Sequence, residues 1–468
     1  MNYFYDAVLI DGRWQRRDTR PVCDPATEEV IGSAAVGTVA DVDAAAEAAH
    51  RRARQWGTTS HGARADMLAA LRRELVAVRD TLVDATVAEV GAPLAVAEAA
   101  HVDLAIEIIA GFENLIREQP ATTRIGNSTI LRRPAGVVGC ITPWNYPLYQ
   151  LAAKVGAALA AGCTTVIKPA ELTPLSTYLF CAAATAAGVP DGVLNLVPGA
   201  GTVVGGAIVA HPLIDVVSFT GSTAVGRSVA ETAGRRIARA CLELGGKSAS
   251  IVCEDADLEA AVTATVDAAT FNSGQTCSAW TRLLVPRRQY AQAVAIAAAR
   301  AEALVVGDPR ATGTQLGPLI SARQRETVAT MVDDACARGA QRIAGHTGRL
   351  ADRGHYIRPI VLGDVDRNDP IARDEVFGPV LVVLPHDGDD DAVEAANDSR
   401  YGLAGAVWSG DEDRAMALAA RLDTGQVDIN GADFNPLAPF GGWKESGLGR
   451  ELGRLGIDEF IEYTAVQR

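Results

Sequence analysis

Apolar positions recur at helical spacing through the first third of the chain. Asp41 is placed to cap a run through Trp56, and residues 64–89 keep the same period until Gly91 and Pro93 interrupt it. The middle then alternates. Residues 164–167 (Thr-Thr-Val-Ile) form a short apolar run suited to a buried strand, and Thr173-Pro174 caps and opens a helix that ends near Gly188. Residues 193–197 read as strand, 201–210 as helix and 216–219 as strand. Gly221-Ser222-Thr223 leads into a further helix, and 238–244 and 249–253 read as strands. This alternation predicts a mostly parallel α/β sheet. Beyond it, Asp257 is an N-cap, with Leu258, Val262, Val266 and Ala269 on one helical face, and 281–285 is the next strand. Alternation from about residue 290 to 430 predicts a second α/β domain. Residues 122–133 and 460–466 read as extended arms of mixed polarity, suited to pairing as edge strands between subunits.

With 468 residues the chain has room for two or three domains and a large core. A net charge of −14 repels phosphate backbones and anionic bilayers, which argues against nucleic acid or a membrane as partner. Met1-Asn2-Tyr3-Phe4-Tyr5-Asp6 lacks a basic stretch followed by an apolar run, so no leader is expected. The uncharged stretch 193–214 is broken by Asn195, Pro198, Gly199, Gly201, Gly205, Gly206 and Pro212, and reads as strand, turn and helix. None of the eight cysteines forms a C-x-x-C pair and the histidines are scattered, so no metal site is expected. Reduced, buried thiols in a cytoplasmic compartment follow.

One cysteine stands apart. Cys277 lies in Gly274-Gln275-Thr276-Cys277-Ser278-Ala279, where a glycine and polar neighbours mark a turn before an apolar strand. Upstream, Glu243 opens Glu243-Leu244-Gly245-Gly246-Lys247. A thiol nucleophile and a carboxylate base are the two parts needed to form and hydrolyse a thioester. A lone cysteine is more often an inert packing residue, so the turn setting carries the weight here. Gly221-Ser222-Thr223-Ala224-Val225-Gly226 is a second candidate, because a helix start offers backbone donors to a diphosphate. The usual Gly-x-Gly-x-x-Gly loop is missing there.

Over nearly its whole length the chain resembles the NAD(P)-dependent aldehyde dehydrogenase superfamily. The matching pieces, in the family's order, are Thr142-Pro143-Trp144-Asn145, Lys168-Pro169-Ala170-Glu171 and Phe219-Thr220-Gly221-Ser222. Glu243-Leu244-Gly245-Gly246-Lys247, Gly274-Gln275-Thr276-Cys277, Glu375-Val376-Phe377-Gly378-Pro379 and 439–447 (Pro-Phe-Gly-Gly-Trp-Lys-Glu-Ser-Gly) follow. The resemblance implies a Rossmann-like cofactor domain (1–118 and 136–243), a second α/β catalytic domain (244–445), and a small β-strand oligomerisation arm (119–135 and 458–468). It also implies a homodimer or homotetramer.

For the site, the resemblance makes Cys277 the nucleophile and Glu243 the general base. Asn145 becomes the amide that donates to the developing oxyanion, together with the nucleophile's own N–H. It places NAD against Thr142, Trp144, Lys168, Glu171, Gly221, Ser222, Leu244, Gly245, Glu375 and Phe377. Lys168 and Glu171 fall at the adenosine ribose, and Glu375 and Phe377 at the nicotinamide ribose and ring. A carboxylate there accepts from a free 2′-hydroxyl and repels a 2′-phosphate, so Glu171 tilts the choice to NAD, with NADP left open. Tyr146, Tyr149, Gln150, Phe434 and Phe440 fall near the aldehyde tunnel with Trp144 and Asp433. Ala153 stands where several relatives carry bulk, which hints at a wider bore. The implied reaction turns a small-molecule aldehyde into a carboxylic acid. Two alternatives are a coenzyme-A-acylating enzyme, which typically lacks the carboxylate at Glu243, and a non-catalytic binding relative.

Overall fold

Two β-sheets organise the chain, and each is coated on both faces. The computed structural model describes residues 3–120 and 122–468. Met1 and Asn2, from the run read for a leader, and Ala121, from the 119–135 arm, lie outside the described residues. The first sheet orders its strands Gly447–Leu448, Arg239–Glu243, Val216–Thr220, Val137–Ile141, Thr164–Lys168, Leu194–Leu196, Ala7–Ile10 and Arg13–Arg16. The five strands from Arg239–Glu243 to Leu194–Leu196 are mutually parallel, and antiparallel strands close both edges. The second sheet runs Gln341–Ala344, Ile360–Gly363, Val380–His386, Arg282–Pro286, Ala249–Val252, Ala404–Trp408 and Gln426–Ile429. Only its Gln341–Ala344 pairing is antiparallel.

Strand side chains alternate between faces, and the cores follow that period of two. In Val380–His386, Val380, Val382 and Leu384 join one buried cluster, while Leu381 and Val383 join the cluster on the opposite face. Val137 and Ile141 pack on one side of the first sheet, and Val138 and Cys140 on the other. Both faces are therefore apolar, which is why these strands read as continuous hydrophobic runs. Register then aligns the chemistry. Ile141 pairs with Lys168 and with Phe219, and Thr220 pairs with Glu243, so the carboxyl ends of neighbouring strands form one row. An open parallel sheet binds its ligand along that row.

The strand–helix order read from the sequence is recovered, and Asp257 does cap helix Leu258–Thr270 by accepting from the Ala260 N–H. Two caps differ. Helix Val39–Gly57 is capped by Thr38, and Asp41 sits three residues in, returning a bond to the Thr38 N–H as the second half of a capping box. Helix Leu175–Ala186 takes its cap from outside its own segment. Buried Glu89 accepts from the Leu175 N–H (2.6 Å), the Ser176 N–H (3.0 Å) and the Ser176 hydroxyl (2.6 Å), while Thr173 donates to the Trp144 carbonyl instead. Residues 64–89 are divided between helices His61–Ala77 and Arg79–Val90.

The arms also find a partner within the chain. Ile461–Gln467 pairs antiparallel with Ser128–Pro134, which pairs with Thr122–Ile125. Among the described residues no helix is long and apolar enough to cross a membrane, no metal-ligand cluster is present, and no cysteine is bridged.

Removing the carboxyl group in Glu89→Ala strands three buried donors at one helix start. Unfolding should become easier by about 2–4 kcal/mol, visible as a lowered thermal midpoint. Glu89→Gln, which keeps an acceptor oxygen, should lose less.

Candidate active site

A single cleft of about 1860 Å³ runs from the strand-end row of the first sheet to the loop that carries Cys277. Among its lining residues are Thr142, Trp144, Asn145, Lys168, Glu171, Gly221, Ser222, Leu244, Gly245, Cys277, Glu375 and Phe377. Each of these was singled out from sequence, and the fold brings all of them to one surface. Glu243, at the end of Arg239–Glu243, lies just behind that wall and is almost wholly buried.

The Cys277 loop is held by backbone that few side chains would tolerate. Asn272, Ser273 and Gly274 have φ of 51°, 59° and 72°, all left-handed. A Cβ on Gly274 would collide with the Gly378 carbonyl, so glycine is needed on two counts. Polar side chains fix the remainder. Ser273 donates to the Gly317 carbonyl (2.9 Å), and Gln275 accepts from the Ile320 N–H (2.8 Å). Asn272 donates to the Asn145 carbonyl (3.0 Å), and the Asn145 amide donates to the Gln275 carbonyl (2.9 Å). These crossing bonds tie the Asn145 turn to the Cys277 loop. One Asn145 N–H remains beyond the bond to Gln275, since an amide carries two.

Burial dominates the electrostatics. Cys277 opens to the cleft on one side and is enclosed by protein on the others, which pushes its thiol well up, with the Glu375 and Glu243 carboxylates adding to the shift. Burial likewise pushes Glu243 well up; Glu451 adds to this, while Lys154 and Arg450 pull it back. Burial thus disfavours the charged form of both groups. Glu243 Oε2 has no hydrogen-bond partner among the described residues. Behind it, fully buried Lys154 donates to Glu451 (2.5 Å) and to Ser218 (3.2 Å). Sequence reading missed Lys154 and Glu451. They lie 297 positions apart, and only the sheet's third dimension joins them to Glu243.

The other half of the cleft fits a dinucleotide. Ser222 caps helix Thr223–Arg235, so the helix start faces the cleft, and Gly226 lies so close to Leu244 that a Cβ would collide. Glu375 accepts from the Gly246 N–H (2.8 Å), and burial holds its carboxyl up at about 7. A Cβ on Gly245 would strike that carboxylate. Phe377, at φ 57°, is pinned by Gln324 donating to its carbonyl (2.9 Å), and its ring meets Trp144 edge-on at 5.2 Å. Buried Thr142 Oγ1 has no hydrogen-bond partner among the described residues, and Thr142 lines the cleft.

On the far side of Cys277 an aromatic wall runs Tyr146, Tyr149, Phe434, Phe440, with successive rings 6.1, 6.5 and 6.1 Å apart and edge-on. The Tyr146 hydroxyl bonds Thr276 Oγ1 (2.7 Å), beside Cys277. Gln150 lines the cleft, yet its carbonyl oxygen accepts from Thr220, so it is committed to the sheet. Ala153 was expected to widen the tunnel; it lies instead within the buried core, inside the π-helical segment Ala152–Gly156, and the cleft wall omits it. Helix positions Ala99, Ala100, Leu104 and Glu107 supply wall that the sequence did not reveal.

The known proteins that this chain is similar to share this plan throughout. The pattern of the aldehyde dehydrogenase family matches residues 14–466. The chain belongs to the aldehyde dehydrogenase family. It is 42% identical to a 3-succinoylsemialdehyde-pyridine dehydrogenase of a Pseudomonas species over 99% of this chain and 98% of that protein. It is 38% identical to the geranial dehydrogenase of Castellaniella defragrans over 100% and 99%. Among solved structures, aldehyde dehydrogenase C of Pseudomonas syringae, a mutant complexed with NAD+ and octanal, superposes with a TM-score of 0.97 at 43% identity, covering 99% of this chain and 96% of that one. The Mycobacterium tuberculosis aldehyde dehydrogenase complexed with NAD+ gives 0.97 at 39% identity, covering 100% and 99%.

Two glycine substitutions separate backbone cost from collision in this aldehyde dehydrogenase. Gly188 (φ 84°) faces open space, so Gly188→Ala should cost about 1–2 kcal/mol. Gly274→Ala should cost more and should speed thiol alkylation at Cys277 by loosening its loop. Thermal melts and timed iodoacetamide labelling check both.

Proposed function

We propose that the chain oxidises an aldehyde to its carboxylic acid with NAD, through a covalent thioester on Cys277. What supports this reading is one cleft lined by Cys277, Asn145 and strand ends that suit a dinucleotide, with the Glu243 carboxyl buried close enough to push the Cys277 thiol up. The NAD+ complexes of its structural relatives support the cofactor. Residues 1–118 with 136–243 would hold it, 244–445 would carry the nucleophile, and the arms 119–135 and 458–468 would join a homodimer or homotetramer.

Cys277 Sγ adds to the carbonyl carbon, the carbonyl π pair moving to its oxygen and the thiol proton passing to water in the open cleft. The free Asn145 N–H and the Cys277 N–H donate to the oxygen as it becomes anionic; such a donor is typically worth about 10²–10³ in turnover. When bound, the nicotinamide supplies the hydride acceptor, and Glu375 and Phe377 would hold its ribose and ring. Glu243 then takes a proton from water as that water attacks the thioester, releasing the acid and restoring the thiol. For this Glu243 must be ionised. The carboxylate of Glu451 and the ammonium of Lys154 set how readily that happens, the first opposing it and the second favouring it.

The aromatic wall suits an extended apolar or aromatic aldehyde. That the relatives act on geranial or a pyridine-bearing semialdehyde, or bind octanal, supports this class. A Glu at position 243 favours water over coenzyme A as the final acceptor.

Cys277→Ala should still bind NAD and form no NADH from any aldehyde; normal turnover would remove the cysteine from the chemistry. Glu243→Gln should give a burst of NADH followed by steady turnover slower by about 10²–10⁴. The acid limb of the kcat profile tests the charge cluster. Because the carboxylate at 451 raises the Glu243 pKa and Lys154 lowers it, Glu451→Gln should move that limb to lower pH and Lys154→Met to higher pH. An unmoved limb in both variants would uncouple them from the base. Unchanged NADH yield with and without coenzyme A is expected.

A further inference from the structure

Beside the Lys168–Glu171 end of the cleft stands a cation that the family motifs do not include. Arg20 lies on strand Thr19–Cys23, in the small sheet with Val30–Ala35, and its register partner is Ala34. Its guanidinium crosses to the first sheet and forms an ion pair with Glu171, 151 positions away. The pair is half-open to solvent, with side chains 40% and 32% exposed. The second Glu171 oxygen accepts from the Gly201 N–H at 3.0 Å. Both oxygens of the carboxylate are thus already engaged by donors of this chain.

A second cation stands beside them. Lys168 ends strand Thr164–Lys168, lines the cleft and donates to the Pro169 carbonyl at 2.7 Å. Burial first, and the nearby Arg20 charge second, bring its ammonium down to about 8, so at neutral pH it is mostly charged. The local count is two cations against one carboxylate. Glu171 on its own would repel a 2′-phosphate, whereas this cluster as a whole is positive. Only Nη1 of Arg20 makes a hydrogen bond among the described residues, which leaves donors on Nε and Nη2 in the planar fork that matches a phosphate.

We propose that Arg20 is a cofactor-specificity residue that offsets Glu171 and admits a 2′-phosphorylated dinucleotide beside NAD. The proposal rests on reading the Lys168–Glu171 end of the cleft as the adenosine ribose site. Glu171 keeps its place as acceptor for a free 2′-hydroxyl, and the Arg20 guanidinium paired with it brings the charge that a phosphate needs. The carboxylate alone therefore does not set cofactor choice in this protein. The Arg20–Glu171 pair sets it.

Direct binding tests this without any aldehyde present, by titrating NAD and NADP into the whole enzyme and following quenching of tryptophan fluorescence. Wild type should bind both, with dissociation constants within about tenfold of each other. Arg20→Ala should shift the NADP-to-NAD affinity ratio at least about tenfold toward NAD, a change of about 1.4 kcal/mol. Arg20→Lys, which keeps charge and loses the fork, should fall between. Glu171→Gln, which leaves the cation uncompensated, should shift the ratio toward NADP. Salt should erode NADP affinity more than NAD affinity in wild type and should lose that selectivity in Arg20→Ala. A ratio that moves less than about twofold in Arg20→Ala, or two constants that rise together, would overturn the role of Arg20 and leave the NAD site standing. Failure of wild type to bind either dinucleotide would overturn the cleft assignment and this proposal with it.

Discussion

Desolvation at the seam between the two sheets dominates the ionisable groups around Cys277. Water is a far better host for charge than a protein interior, so burial favours whichever protonation state is neutral. The thiol of Cys277 and the carboxyls of Glu243 and Glu375 all shift upward for that first reason, before any neighbour is considered. The buried Lys154–Glu451 pair adds its own field to the effect of burial at Glu243. Removing one member of such a pair would leave the other charge unpaired at a cost of about 3–5 kcal/mol, so its presence ties stability to chemistry.

Backbone freedom is the second constraint, and it explains why glycines punctuate the family's motifs. The Cys277 loop turns through three successive left-handed residues, and only the last is glycine. Asn272 and Ser273 hold the same strained region with side-chain bonds to Asn145 and Gly317. Gly245 is bare for another reason, since the Glu375 carboxylate occupies the space of a side chain. Glycine in one case permits a conformation and in the other permits an approach.

Much of this was legible in the amino-acid order. Strands buried on both faces announce themselves as apolar runs, and Asp257, Ser222 and Gly274 marked a cap, a helix start and a turn that the fold uses as expected. What stayed hidden depends on distance through space. Glu89 caps a helix 86 positions later, which no local pattern encodes. Thr38 displaced Asp41 as cap because both belong to one reciprocal box, where either residue alone looks sufficient. Ala153 sat beside tunnel residues in sequence, but inside a π-helical segment its side chain packs in the core. The arms were recognisable as strands; their pairing with each other was not, because a strand's pattern carries no address for its partner.

The two ends of the cleft handle charge in opposite ways, and the difference follows from exposure. At Glu243 the carboxyl is buried with no donor on Oε2, burial pushes its pKa well up, and Glu451 and Lys154 shift it in opposite directions. At Glu171 the carboxylate is half-exposed and doubly bonded, by Arg20 and by the Gly201 N–H. A proton-transfer group needs a pKa that moves near neutrality, whereas a recognition group needs a charge that does not move. One continuous wall, built from the ends of adjacent parallel strands, supplies both because burial deepens from its rim to the seam with the second sheet.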